Sequence, residues 1–185
     1  MKLQTIICST RPGRIGPQVA AWFHGVAQAH GGFEAELVDL ASFNLPIFDE
    51  PNHPRFRNYV HDHTKAWSAS VETADAYVFV MPEYNGGPPP SFVNAINYLY
   101  VEWGHKVAGF VSYGGAAGGA RAVQGAKSLL AAVKIMPIPE GVGIPMVWQH
   151  LTPEAGFTGD QGHHAAAKAT LDELVKWATA LKALR

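Results

Sequence analysis

Residues 5–18 read TIICSTRPGRIGPQ, and this stretch joins an apolar run to a helical pattern. The apolar run, Leu3–Cys8, stops at a polar turn, and beyond Pro17 the residues Val19 and Phe23 share one helical face. Pro17 suits the first turn of a helix, because its missing N–H would have no partner there in any case. The stretch therefore predicts a strand, a polar turn and a helix in immediate succession.

The polar turn carries the residue types of an anion-binding loop. The hydroxyls of Ser9 and Thr10 and the loop N–H groups can converge on one point at a helix N-terminus, where negative charge is favoured. Arg11 and Arg14 add charged donors, each worth about 1.5–3 kcal/mol in a hydrogen bond to phosphate. We interpret the loop as a seat for a phosphate monoester. The alternative is an ordinary strand-to-helix turn with solvent-facing arginines.

Two common phosphate-binding motifs do not fit this loop. The pattern G-x-x-x-x-G-K-[ST] requires a lysine directly after the second glycine, and no lysine is present. The pattern G-x-G-x-x-G requires three glycines, whereas the loop has only Gly13 and Gly16. Any phosphate must therefore be bound in another way.

Composition restricts the class of protein. Of 185 residues, 48% are hydrophobic and 16% are charged, which favours one well-buried α/β domain over residues 1–185. A formal net charge of -1 predicts no nucleic-acid partner and no anionic membrane partner. Cys8 is the single cysteine, is interpreted as a small buried hydrophobe, and favours a reducing compartment. No apolar run reaches membrane-spanning length, so we expect a cytoplasmic protein.

Apolar runs alternate with helical segments along the chain. Strands are predicted at 3–8, 33–40, 76–81, 106–113 and 135–138, and helices at 16–30, 61–74, 92–99, 120–133 and 162–184. This alternation implies a doubly wound α/β fold: a five-stranded parallel sheet with helices on both faces. With strand order 2-1-3-4-5, the loops after strands one and three flank the switch point at which such sheets bind ligands.

Several local features carry their own predictions. Ser91 is predicted to be the N-cap of the third helix. Residues 140–161 are predicted to be irregular, with a short extended piece at 144–147. His163 and His164 are interpreted as an exposed pair at the start of the last helix, and no metal site is predicted because no spaced partners accompany them. Trp103 and its neighbours Tyr98–Tyr100 belong either to the core or to a subunit interface.

Three loop motifs together match the order and spacing of one known family. They are Ser9-Thr10-Arg11-Pro12-Gly13-Arg14, then Pro82-Glu83-Tyr84-Asn85-Gly86-Gly87 with Asn94-Ala95-Ile96, and finally Ser112-Tyr113-Gly114-Gly115 with Gly118-Gly119. The chain resembles the NADPH-dependent FMN reductase family of flavodoxin-like proteins, which includes quinone, azo-dye and chromate reductases. The resemblance runs from Leu3 to about Leu181, and the P-E-Y-N segment is its most specific part.

The resemblance implies an FMN site on the matching positions. The phosphate would be held by Ser9, Thr10, Arg11, Arg14, Ile15 and Gly16, the ribityl chain and ring edge by Pro82, Glu83, Tyr84, Asn85 and Gly86, and the pyrimidine end by Ser112, Tyr113, Gly114 and Gly115. Glycines let main-chain amides approach the ring closely, and Tyr84 offers an aromatic wall. Glu83 is expected to cap N–H groups or face water, and His150 is a candidate neighbour of the nicotinamide or substrate. No catalytic side chain is predicted, because the flavin carries the chemistry.

The implied activity is hydride transfer from NADPH or NADH through FMN to a small acceptor. Candidate acceptors are a quinone, an azo compound, free flavin or a metal oxyanion, and the family implies a homodimer or homotetramer. Val93 and Asn97 stand where the family usually has charged residues, so any ion pair made there in relatives is lost, and Pro88–Pro90 stiffens the neighbouring loop. The alternatives are a non-catalytic FMN-binding sensor or interaction module and, less supported by the residues, a different phosphate-ester enzyme.

Overall fold

The strands of the computed structural model, which describes residues 1–185, form the predicted parallel sheet in the order β2-β1-β3-β4-β5. The strands are β1 (Lys2–Ile7), β2 (Glu34–Asp39), β3 (Ala76–Pro82), β4 (Lys106–Tyr113) and β5 (Ile135–Ile144). The helices are α1 (Gly16–His30), α2 (Asp62–Glu72), α3 (Pro90–Asn97), α4 (Ala120–Ala132) and α5 (Gln161–Leu181). The flavodoxin-like topology expected from the alternating pattern is confirmed.

Helices cover both faces of the sheet, and each face has its own apolar core. Helices α1 and α5 pack on one face, with Phe23 and Leu171 fully buried against the sheet. Helices α2, α3 and α4 pack on the other, around Trp67 and Phe92. Because β3 lies in the middle and is covered on both sides, its residues are all buried, which explains the unbroken apolar run in the sequence.

The last strand is longer than predicted. β5 runs ten residues, from Ile135 to Ile144, instead of ending at Ile138. Its pairing with β4 slips between Ala108 and Phe110, so that additional β5 residues bulge at this point, and pairing then resumes at Gly141. Prolines and glycines in this stretch indicate irregular structure, yet both are tolerated at a bulge on an edge strand. The prediction of irregular structure from residue 140 was therefore wrong for the second half of β5.

Helix α3 begins two residues earlier than predicted. Pro90 is its first residue, where a proline loses no hydrogen bond, and Pro89 precedes it without any side-chain cap. Ser91 therefore lies inside the helix, and its Oγ donates to the carbonyl of Cys8 at the end of β1. The prediction of Ser91 as an N-cap was wrong, and its hydroxyl instead ties α3 to the loop that begins the candidate site.

The segments outside the sheet also have defined structure. After β5 come a 3-10 turn at Val147–His150 and a small antiparallel hairpin, β6 (Leu151–Thr152) and β7 (Gly156–Phe157). Tyr98 and Trp103 are fully buried, so both belong to the core and not to a subunit interface. Cys8 is buried as expected. None of the helices combines the length and apolarity that a membrane crossing requires.

Candidate functional site

The three predicted loops meet at the carboxyl ends of β1, β3 and β4 and enclose a cavity of about 240 Å³. Residues of the first, second and third loops line it, together with two residues that follow β5: Arg11, Arg14, Ile15, Pro82, Glu83, Tyr84, Tyr113, Gly114, Gly115, Val147 and Trp148. The convergence follows from the topology, because the carboxyl ends of parallel strands share one edge of the sheet. The structure thus brings together most of the predicted site residues.

The first loop presents unused hydrogen-bond donors. No main-chain N–H from Ser9 to Ile15 has an acceptor within the protein. Arg11 is exposed, and its guanidinium contacts only the carbonyl of the adjacent Pro12, at 3.4 Å. A row of free N–H groups before the start of α1, with an unpaired cation beside it, is the donor set that a phosphate group requires.

Arg14 has a different environment from Arg11. Its guanidinium forms a bidentate ion pair with Asp39, at 2.8 and 2.5 Å, and also donates to the carbonyl of Ser9. Desolvation acts to raise the pKa of Asp39, but hydrogen bonds from Arg14 and the Ala41 N–H outweigh it and lower that pKa. The sequence assigned Arg14 to the phosphate. The structure shows that most of its donors connect the first loop to the end of β2.

Ser9 and Gly16 lie beneath the loop. Ser9 is 1% exposed, and its Oγ is 3.3 Å from the hydroxyl of the buried Tyr113. Burial raises the pKa of Tyr113, so the phenol stays protonated and able to donate. A Cβ on Gly16 would overlap Ser9 Oγ and lie 2.8 Å from Tyr113 Oη. Gly16 is therefore required for the close approach of the first and third loops.

Glu83 is the capping group that the sequence suggested. It accepts hydrogen bonds from the main-chain N–H and the guanidinium of Arg121, at 3.1 and 2.7 Å, at the start of α4. The hydrogen bond from Arg121 lowers the pKa of Glu83 and keeps it ionised at neutral pH. In the third loop, Ser112 Oγ donates to the carbonyl of Gly118 at 2.8 Å and points away from the cavity.

The P-E-Y-N segment forms a tight hairpin turn. Tyr84 and Gly87 exchange main-chain hydrogen bonds of 3.0 Å, and Asn85 and Gly86 between them have φ values of 50° and 78°. Two consecutive positive φ values favour the Asn-Gly pair, so these residues have a clear backbone role. Asn85 and Gly86 are exposed at the tip of the turn and do not line the cavity, whereas Tyr84 does.

A larger cavity of about 890 Å³ lies next to the first loop. Thr10 lines this cavity and not the smaller one, so it stands at the boundary between the two. Val93 and Asn97, the two positions that depart from the family pattern, lie on the α3 wall of the larger cavity. Ile47, on the loop that forms the opposite wall, is 91% exposed.

One expectation about the histidines was wrong, and the one about His150 stays a prediction. His163 is 8% exposed and forms a capping box with Asp160, the N-cap of α5, so it is not an exposed residue beside His164. His150 does not line the small cavity; its ring lies 4.8 Å from that of His163. Ligand atoms of His150, Asp160 and His163 come within 4.8 Å of one another, although Asp160 and His163 are already hydrogen-bonded to each other.

Val147 and Trp148 are site residues that sequence reasoning missed. The main-chain N–H groups of Met146 and Val147 donate to the carbonyls of Gly115 and Gly114, at 3.0 and 3.1 Å. These bonds hold the turn after β5 against the third loop. The only sequence signal was the apolar run from Ile144 to Trp148 after a glycine-rich strand, and it did not indicate which residues reach the cavity.

The residues of the small cavity fit FMN. The unpaired N–H groups and Arg11 suit its phosphate, and the N–H of Gly115 also lacks an acceptor within the protein. Gly114 and Gly115 leave open space that side chains would fill: a Cβ on Gly115 would already touch Trp148, at 3.9 Å. A flat, phosphorylated ring system with acceptor atoms at its edge matches this donor set.

The fold is that of a flavodoxin-like domain with a cavity at the carboxyl edge of its sheet. The family model described as NADPH-dependent FMN reductase matches residues 1–149, and the chain belongs to that family. The NAD(P)H-dependent FMN reductase ntnL of Nectria sp is 35% identical over 150 residues, covering 78% of this chain and 75% of that protein. The 2-hydroxy-1,4-benzoquinone reductase of Burkholderia sp is 26% identical over 110 residues, covering 59% of this chain and 55% of that protein.

Solved structures support the fold. FerB, a flavoenzyme NAD(P)H:(acceptor) oxidoreductase from Paracoccus denitrificans, superposes with a TM-score of 0.75 at 20% identity, covering 97% of each chain. Family membership and the cavity together identify an FMN-dependent oxidoreductase with NAD(P)H as reductant. This confirms the resemblance drawn from the three loop motifs.

Proposed function

We propose that the small cavity binds FMN, and that the protein uses it to pass electrons from NAD(P)H to a small organic acceptor such as a quinone. In balanced form, NAD(P)H, a proton and a quinone give NAD(P)⁺ and a hydroquinone. The observation that carries the proposal is the row of unpaired N–H groups from Ser9 to Ile15, beside a cavity that Arg11, Ile15 and Gly115 line.

The residues of the chain bind and orient, and the bound flavin supplies the hydride chemistry. Arg11 and the first-loop amides would hold the phosphate, and Tyr84 would contact the ring. The N–H of Gly115 would donate to an acceptor atom of the ring and stabilise negative charge there, as a preorganised donor does without reorganisation cost. Thr10 lines the neighbouring cavity, and its hydroxyl, which has no partner within the protein, would be a further donor to the phosphate.

The assembly and the location of the protein are part of the same proposal. Exposed apolar side chains, Ile47 at 91% and Phe56 at 71%, lie on the loop between β2 and α2. Large exposed apolar residues of this kind are typical of a surface that another subunit covers, and we propose a homodimer or homotetramer that uses this loop. A buried, reduced Cys8 without a disulfide partner supports a cytoplasmic location.

The test compares FMN binding to apoprotein for wild type, Arg11→Ala and Arg55→Ala. Arg55 is also exposed and forms no ion pair, and it does not line the cavity, so it is a matched control for the loss of one surface arginine. Loss of one charged hydrogen bond corresponds to about 1.5–3 kcal/mol, or about a 10–150-fold weaker Kd for Arg11→Ala. Equal affinities for the two variants would show that the phosphate lies elsewhere.

Turnover is measured on the same preparations. Wild-type protein loaded with FMN should oxidise NAD(P)H when a quinone is supplied, and the flavin absorbance should bleach when the acceptor is withheld. Tight FMN binding without turnover on quinone, azo or ferric acceptors would favour the non-catalytic binding module. A protein that binds no FMN would contradict the proposal as a whole.

A further inference from the structure

Among the five tryptophans of the chain, Trp148 alone has no structural partner. Trp67 and Trp103 are buried and donate from Nε1 to main-chain carbonyls. Trp22 packs edge-on against neighbouring rings, and Trp177 packs against the core beneath α5. Trp148 is 55% exposed, belongs to neither core, pairs with no aromatic ring and donates no hydrogen bond.

The position of Trp148 is nevertheless fixed. The preceding residue, Val147, is 4% exposed and inserts into the core, and Met146 before it has a left-handed backbone with φ 47°. Both residues donate main-chain hydrogen bonds to the third loop, at Gly115 and Gly114. This left-handed backbone is held against the third loop and leaves the indole exposed. The fold therefore maintains an exposed tryptophan at one defined point.

That point is the mouth of the small cavity. Trp148 and Tyr84 both line it, while Tyr113, 4% exposed, forms its floor. The Cη2 atom of Trp148 would lie 3.9 Å from a Cβ on Gly115. With a ring compound bound in the cavity, the exposed indole would be available to a second ligand. An indole favours flat aromatic ligands, because stacked or edge-on rings attract beyond their burial of apolar area.

We infer that Trp148 is a specificity-determining residue that favours planar aromatic acceptors over compact inorganic ones. The inference rests on the proposed function of the cavity. It assigns to Trp148 no part in electron transfer: the indole contacts the acceptor and holds it flat at the mouth. Val147 and Met146 act only through Trp148, as positioning residues.

The experiment measures kcat and KM with a naphthoquinone and with ferricyanide for FMN-loaded wild type, Trp148→Ala, Trp148→Phe and Trp177→Phe. For Trp148→Ala, the ratio of kcat/KM for naphthoquinone to that for ferricyanide should fall about tenfold, mainly through KM. Trp148→Phe, which keeps an aromatic ring, should restore most of the ratio. Trp177→Phe, an equivalent substitution outside the cavity, should leave it unchanged.

Two results would overturn the inference while leaving the proposed function intact. One is an unchanged ratio in Trp148→Ala. The other is a weaker FMN Kd in Trp148→Ala that accounts for the loss with both acceptors, since Trp148 would then serve the cofactor. Failure of wild type to bind FMN or to reduce either acceptor would instead contradict the proposed function, so the two failures are distinguishable.

Discussion

A methyl group added at Gly16 tests how closely the first and third loops are packed. In the Gly16→Ala protein the new Cβ would overlap Ser9 Oγ, and it would lie 2.8 Å from Tyr113 Oη and 3.3 Å from Ile7 Cγ2. All three neighbours are buried, so none can move without displacing others. Overpacking of this kind costs about 1–3 kcal/mol of the free energy of unfolding.

Gly25→Ala is the matched control. Gly25 lies in the same helix, α1, and a Cβ there would meet nothing within 4 Å. Replacing an exposed mid-helix glycine by alanine stabilises a protein by about 0.5–1 kcal/mol, because it removes backbone freedom from the unfolded chain. The two variants carry the same chemical change, yet we expect the free energy of unfolding to fall below that of wild type in Gly16→Ala and to rise above it in Gly25→Ala.

Urea unfolding followed by circular dichroism measures this difference. With a slope of about 2 kcal/mol per molar urea, the midpoints of the two variants should differ by about 0.75–2 M. The Gly16→Ala variant should also bind FMN more weakly, because Ser9 begins the phosphate loop. Equal midpoints would show that the loops are loosely packed, and the structural argument for this glycine would fail.

Two further predictions concern ionisable groups. Burial lowers the pKa of Lys106 to about 8, against 10.5 in the unfolded chain. Between pH 8 and pH 10.5 this side chain is therefore neutral in the folded state but still protonated in the unfolded state. The free energy of unfolding consequently rises with pH over this range. The free energy of unfolding of wild type minus that of Lys106→Met should grow by about 2 kcal/mol between pH 7 and 9.5, and a constant difference would contradict the assignment. Glu83→Gln should leave the pH profile of kcat/KM unchanged, because Arg121 already keeps the Glu83 carboxylate ionised. If the variant instead lost the rise or the fall of kcat/KM with pH, Glu83 would be acting as a general acid.

The fold was predictable because its signals are local. Each buried strand appears as a short apolar run, and the run Ala76–Met81 has no polar interruption because β3 is covered on both faces. Parallel topology then places every strand-to-helix loop at one edge, so the meeting of the three loops followed without knowledge of side-chain positions. The errors in β5 and at Ser91 arose where prolines and glycines are compatible with more than one local structure.

The roles of individual side chains were less predictable, because their partners are distant in sequence. Arg14 pairs with Asp39, 25 residues away, and Ser9 with Tyr113, 104 residues away. A loop motif identifies an arginine as a donor, but it does not show whether the acceptor is a ligand or a carboxylate of the protein. Trp148 was missed for the same reason: its neighbour Gly115 belongs to another loop.

The internal use of these side chains explains how the cavity keeps its shape. Arg14 fastens the first loop to β2, Ser9 fastens it to the third loop, and Glu83 fastens the second loop to α4. The groups left without a partner are main-chain N–H groups of the first loop and Arg11, and Arg11 lines the cavity. Donors that are already held in place lose little conformational entropy when a ligand binds. More of the free energy of each hydrogen bond therefore contributes to affinity. A substitution at Arg14 should therefore weaken FMN binding by loosening the loop, even if its guanidinium never contacts the phosphate.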